Sequence, residues 1–66
     1  MEDLGRVVEF KFSIGQSVHH DLRDITGYVI GLFVNRGGLT MIEVEWKEQD
    51  GGFKSCYFWP SELNAV

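Results

Sequence analysis

Two glycine pairs constrain this chain more than any other feature. Gly37-Gly38 follows Asn35-Arg36, Gly51-Gly52 follows Asp50, and each pair stands between apolar runs. Glycine adopts positive φ at no steric cost, so a polar residue followed by glycine between strand-forming segments spells a β-hairpin loop. The flanking segments, residues 27–35 and 39–48, are rich in Val, Ile, Phe and Trp and carry no helical capping signature. In the second segment Ile42, Val44 and Trp46 alternate with Glu43, Glu45 and Lys47. This period of two predicts a strand with the first set facing a core and the second set facing away.

The next strand, residues 53–59, has apolar groups on both faces, so its register must come from the turn. A loop made of Asp50-Gly51-Gly52 places Glu48 opposite Lys54, Trp46 opposite Cys56 and Val44 opposite Phe58. A two-residue loop at Asp50-Gly51 would set Lys47 against Lys54, and like charges facing each other are unfavourable. The first pairing is therefore preferred, and it puts Tyr57 and Trp59 on the outward face with Glu43 and Glu45. Pro60 ends the strand because it has no amide hydrogen for the ladder. Ser61-Glu62-Leu63 reads as one tight turn with Leu63 folding under the end of the sheet, followed by a final short strand at 64–66. Upstream, residues 16–20 read as the first strand and 20–26 as its loop. Val8, Phe10 and Phe12 alternate with Glu9 and Lys11, which predicts an N-terminal extension (1–11) or an extra strand over 7–12. The fold class expected is all-β: one domain over residues 1–66, five or six short antiparallel strands closed into a small barrel, and a 3-10 turn near 60–63.

Size and charge narrow the function. At 66 residues the chain buries only about 60% of its unfolded surface. Cys56 is the sole cysteine, so no internal disulfide supplements the core, and self-association is a natural way to bury more. The same lone thiol fits a reducing cytoplasm. The longest uncharged stretch, residues 25–35, is shorter than the roughly 20 residues a membrane helix needs, and Glu2 and Asp3 stand where a signal peptide would be basic. Six Lys and Arg against ten acidic residues give a net charge of −4. The six cations are scattered, which argues against tracking nucleic-acid phosphates.

The order of signals, Phe12-x-x-Gly15-x-x-Val18, Gly27-x-Val29-x-Gly31, Val44-x-Trp46 and Tyr57-x-Trp59-Pro60-x-x-Leu63, resembles an SH3-like barrel of the tudor/KOW type over residues 12–63. The resemblance implies a binding module for peptides, nucleic acid or sister subunits, and standalone barrels of this kind are similar to accessory products of phage or mobile genetic elements. A narrower resemblance is to the plasmid-borne type II dihydrofolate reductases, which assemble as tetramers around one active pore. Ser55-Cys56-Tyr57-Phe58-Trp59-Pro60 is similar to their closing strand Ser-Val-Gln-Ile-Tyr-Pro. Tyr57 replaces the Gln that supports pterin and nicotinamide binding, however, and His20 stands where a Lys attracts cofactor phosphates. The agreement falls on the scaffold and the departures fall on the functional positions.

No residue pattern requires catalysis, a metal or a cofactor. His19 and His20 are adjacent in a strand and point to opposite faces, so they do not share an ion; loop-entrance surface positions are expected for both. Cys56 reads as a packing thiol, because burial disfavours the thiolate. Glu43 and Glu45 lack the apolar pocket that separates the pKa values of a catalytic pair. The informative feature is the aromatic share, 14%, too large for so small a core. Tyr57 and Trp59, with Phe33 or Phe53 beside them, are expected to form an exposed panel marking an interaction surface, unless Phe10 and Phe12 fold back over it. The expected function is a non-enzymatic module that binds itself or another protein. A tudor-like reader of methylated lysine or arginine, using Trp59, Tyr57, Glu43 and Glu45, comes second. A pore enzyme resembling the reductases and a nucleic-acid binder follow.

Overall fold

The computed structural model describes residues 10–66. Among these the protein is all-β: five antiparallel strands form one sheet, with a single 3-10 turn. The strands are β1 (Ser17–His20), β2 (Ile25–Val34), β3 (Thr40–Lys47), β4 (Phe53–Phe58) and β5 (Leu63–Ala65), in the spatial order β4-β3-β2-β1-β5. The 3-10 turn, Pro60–Glu62, joins β4 to β5. Among the described residues no helix is long and apolar enough to cross a membrane.

The period of two in β3 sorts its side chains as the alternation requires. Ile42 and Val44 are buried, and the core they join contains Phe12, Val18, Val29, Phe58 and Leu63. Phe10, Leu32, Trp46 and Cys56 pack against this cluster from the side. Phe10 and Phe12 thus belong to the core and its margin, and residues 10–12 are not a strand. The rest of the extension expected over residues 1–11 lies outside the described residues.

The β3–β4 register differs from the expected one by two residues. Trp46 faces Lys54, Val44 faces Cys56, Ile42 faces Phe58 and Glu43 faces Tyr57. The loop is Gln49-Asp50-Gly51, with positive φ at Gly51 (93°). The Gly51 N–H donates to the Glu48 carbonyl (3.0 Å), and Glu48 N–H already bonds the Gly52 carbonyl (2.7 Å). The Asp50 carboxylate accepts the Gly52 N–H at 2.8 Å, so the first glycine of the pair makes the turn and the second enters the ladder. A slip of two residues keeps every side chain on its face. The Glu48–Lys54 attraction survives as a diagonal ion pair at 3.8 Å.

The first loop is tighter than residues 20–26. Asp24 takes a left-handed backbone (φ 52°) and its N–H bonds the Asp21 carbonyl at 3.3 Å, so β2 starts at Ile25. β2 then breaks register between Val29 and Gly31. The bulge moves Leu32 onto the core side opposite Ile42 and Phe33 onto the outward side opposite Met41.

His20 also departs from expectation. It is buried, with 4% of its surface exposed, and its ring packs tilted against that of Phe58, centroids 4.7 Å apart. Its Nδ1 accepts the Arg23 N–H at 3.2 Å, which leaves Nε2 to carry the proton toward Glu62, 3.6 Å away. The even positions of β1 face the core, and the short turn folds Arg23 back over the Phe58 ring, so a polar side chain is enclosed with Nδ1 hydrogen-bonded and Nε2 facing a carboxylate.

Candidate functional site

The outward face of the sheet gathers the residues that its alternation pointed to. β3 contributes Glu43 and Glu45, both half-buried. Tyr57 of β4 lies directly opposite Glu43, and Gly31 of β2 lies opposite Glu43 on the other side. Phe33, placed outward by the bulge, meets Tyr57 edge to face, with ring centroids 5.2 Å apart and planes at 72°. Both rings stay open to solvent, Tyr57 at 51% and Phe33 at 43%. The perpendicular pair sets the electropositive edge of one ring against the face of the other, a favoured aromatic geometry.

Gly31 makes this arrangement possible. A Cβ at this position would lie 2.6 Å from the far edge of the Phe33 ring and 3.1 Å from a Glu43 carboxylate oxygen. The ring therefore lies across bare backbone. Gly31→Ala is expected to turn Phe33 away and break its contact with Tyr57 at modest cost to stability, because the obstructing atoms are the movable end of a side chain. Loss of the Phe33-to-Tyr57 ring cross-peaks in a proton NMR spectrum, with a thermal midpoint near that of the wild type, is the expected signature.

The remaining expected members stand further along the same face. Glu45 faces Tyr28 on one side and Ser55 on the other, and Tyr28 adds an exposed phenol that sequence reasoning missed. Its signal was the alternation of Tyr28 with Gly27 and Val29. Phe53 faces Lys47 at the turn end of the hairpin and is 66% exposed. Trp59 lies past the end of β4, where its N–H donates to the Glu62 carboxylate at 2.8 Å and its carbonyl accepts the Glu62 N–H. Glu62 thus holds Trp59 from one oxygen and faces His20 with the other.

The histidines are separated by the strand as their adjacency requires. His19 Nδ1 bonds Thr26 Oγ1 at 2.8 Å, and its Nε2 lies 3.5 Å from Asp21 and 3.6 Å from Asp24. His20, the position that the reductase resemblance associates with cofactor phosphates, is turned into the core instead. Cys56 is half-buried beside Trp46 and Val44, with Sγ 3.6 Å from the Tyr57 carbonyl. The surface thus combines exposed aromatic rings with two carboxylates on a regular sheet, an arrangement suited to contact. No family model matches the chain, and neither does any curated protein or solved structure.

Proposed function

We propose that this protein is a non-enzymatic SH3-like barrel that works as a protein-interaction and self-association module through the outward sheet face of Phe33, Tyr57, Glu43 and their neighbours. The observation that carries the reading is the Phe33–Tyr57 pair: two large rings, from β2 and β4, that meet across β3, each about half exposed. The strand order and the 3-10 turn before β5 support the barrel resemblance. An aromatic ring buries about 150–250 Å² when fully covered. At roughly 25 cal/mol per Å², covering the exposed half of Tyr57 contributes about 2 kcal/mol.

Tyrosine is among the residues that dominate interface energetics, because it supplies rigid area at low entropic cost. Tyr57→Ala is therefore expected to weaken association about 30-fold, the equivalent of about 2 kcal/mol. Sedimentation equilibrium over a dilution series reads this directly. A strict monomer at every concentration, with Tyr57→Ala and Trp59→Ala indistinguishable from wild type, would count against the reading.

One observation favours a second reading. The ring pair lies beside a carboxylate, Glu43, and a cation resting on an exposed ring face next to it would meet a π face and a negative charge together. Each aromatic face attracts an ammonium by about 0.5–2 kcal/mol. Titration with trimethyl-lysine or methyl-arginine peptides, followed by NMR shifts of the Tyr57 and Phe33 rings, tests it. Saturable shifts abolished by Tyr57→Ala support a cation reader, and flat titrations exclude it.

A further inference from the structure

Among the described residues β4 is an edge strand, and its outer edge has a self-complementary pattern. The Glu48 N–H bond to the Gly52 carbonyl sets the phase of the β3–β4 ladder. In an antiparallel pair, hydrogen-bonded and non-hydrogen-bonded positions alternate. Lys54, Cys56 and Phe58 therefore direct their N–H and C=O groups toward β3, whereas Phe53, Ser55 and Tyr57 direct theirs away from it. β4 ends the strand order, and among the described residues no strand lies beyond it.

Natural sheets protect such edges with prolines, bulges, charges or brevity. The opposite edge, β5, is three residues long. The β4 edge spans six residues, contains no proline and keeps an unbroken register with β3. Its one charge, Lys54, is on the core-side alternation and is drawn to Glu48.

We infer that β4 pairs antiparallel with β4 of a second copy of this chain, about a twofold axis at Ser55. Only this register uses every outward N–H and C=O of Phe53, Ser55 and Tyr57. Phe53 then faces Tyr57 of the second copy, so the Phe33–Tyr57 pair gains a third ring on the same face, and the small Ser55 side chains meet at the axis. Lys54 faces Cys56 of the second copy. Sliding one strand by two residues sets Lys54 against its own copy in one direction, and in the other strips Phe53 from Tyr57. Charge and ring contacts thus select the same register. The inference rests on the self-association reading above and specifies its partner and geometry.

The test uses the full chain in sedimentation equilibrium. Ser55→Pro removes an N–H that points away from β3, a substitution an edge strand tolerates, and is expected to raise the dimer Kd at least about tenfold by deleting one interchain donor from each copy. Ser55→Lys and Ser55→Glu set like-charged side chains directly opposite each other across the axis, on Cα atoms about 5.5 Å apart. Each alone is expected to weaken the dimer, and an equimolar mixture to restore it. Amide exchange at Phe53, Ser55 and Tyr57 should slow as protein concentration rises. A dimer indifferent to all three Ser55 variants overturns the edge pairing. If Tyr57→Ala still weakens that dimer, the aromatic-face reading stands alone. A wild-type monomer at every concentration removes both. Protection of these amides already complete in dilute monomer assigns the edge to the chain's own N-terminal residues and also overturns the inference.

Discussion

Gly27→Ala is expected to remove a large part of the protein's stability. A Cβ at Gly27 would lie 2.2 Å from the Glu45 carbonyl oxygen and 3.0 Å from both the carbonyl carbon and a Val44 methyl. The obstacle is backbone of β3, which cannot swing aside as a side chain does. Relief requires β2 and β3 to separate where Tyr28 pairs with Glu45, at the centre of the sheet. Overpacking alone costs about 1–3 kcal/mol and occasionally more, and the broken ladder adds to it. A chain of this length holds roughly 3–10 kcal/mol in total. The thermal midpoint is expected to fall by more than about 15 °C, since each kcal/mol moves it roughly 4–8 °C at this size. Gly37→Ala is the control: its Cβ would meet only an Asn35 side-chain oxygen at 3.5 Å, and circular dichroism melts should leave it near wild type. A folded Gly27→Ala protein with an unchanged midpoint would contradict this packing.

Phe58→Ala is expected to cost about 3–5 kcal/mol, comparable to the whole stability of the domain. Phe58 is 4% exposed and stands opposite Ile42 at the end of β4. Its ring packs 4.7 Å from His20 and 6.3 Å from Trp46, and the Arg23 guanidinium lies 5.7 Å from its centroid. Truncation leaves a cavity and also removes the apolar wall beside a buried imidazole. Urea titration should show a transition moved to much lower denaturant with the slope retained. Phe58→Leu, which keeps most of the volume, should recover the larger part of the loss. Equal destabilisation by both variants would show that ring contacts, rather than volume, hold this end of the sheet.

The outward placement of Tyr57 with Glu43 was legible in the sequence for a reason that outlasted a mistake in the loop. Turn glycines specify that a hairpin exists, but not which of two adjacent glycines takes positive φ. That choice was made by the Asp50 carboxylate capturing the Gly52 N–H. Because the resulting slip was even, the faces stayed correct while every cross-strand partner changed. The aromatic character of Phe33 marks it in the sequence, yet its meeting with Tyr57 depends on the bulge after Val29 and on the bare backbone at Gly31. Neither is visible in a local pattern. The burial of His20 was missed because a histidine beside an Asp-rich loop has the composition of a surface residue.

The sequence by itself determined that this protein is built of antiparallel strands, where three of its turns fall, and which side of the central hairpin carries its acids and rings. Those properties follow from periodicity and glycine conformation, which act over a few residues. Tertiary structure alone decided which residues face one another, how Phe33 reaches Tyr57, and why His20 lies against Phe58. Such contacts join positions far apart in the chain, and their energies depend on bulges, turn hydrogen bonds and shared space that exist only after the strands have assembled.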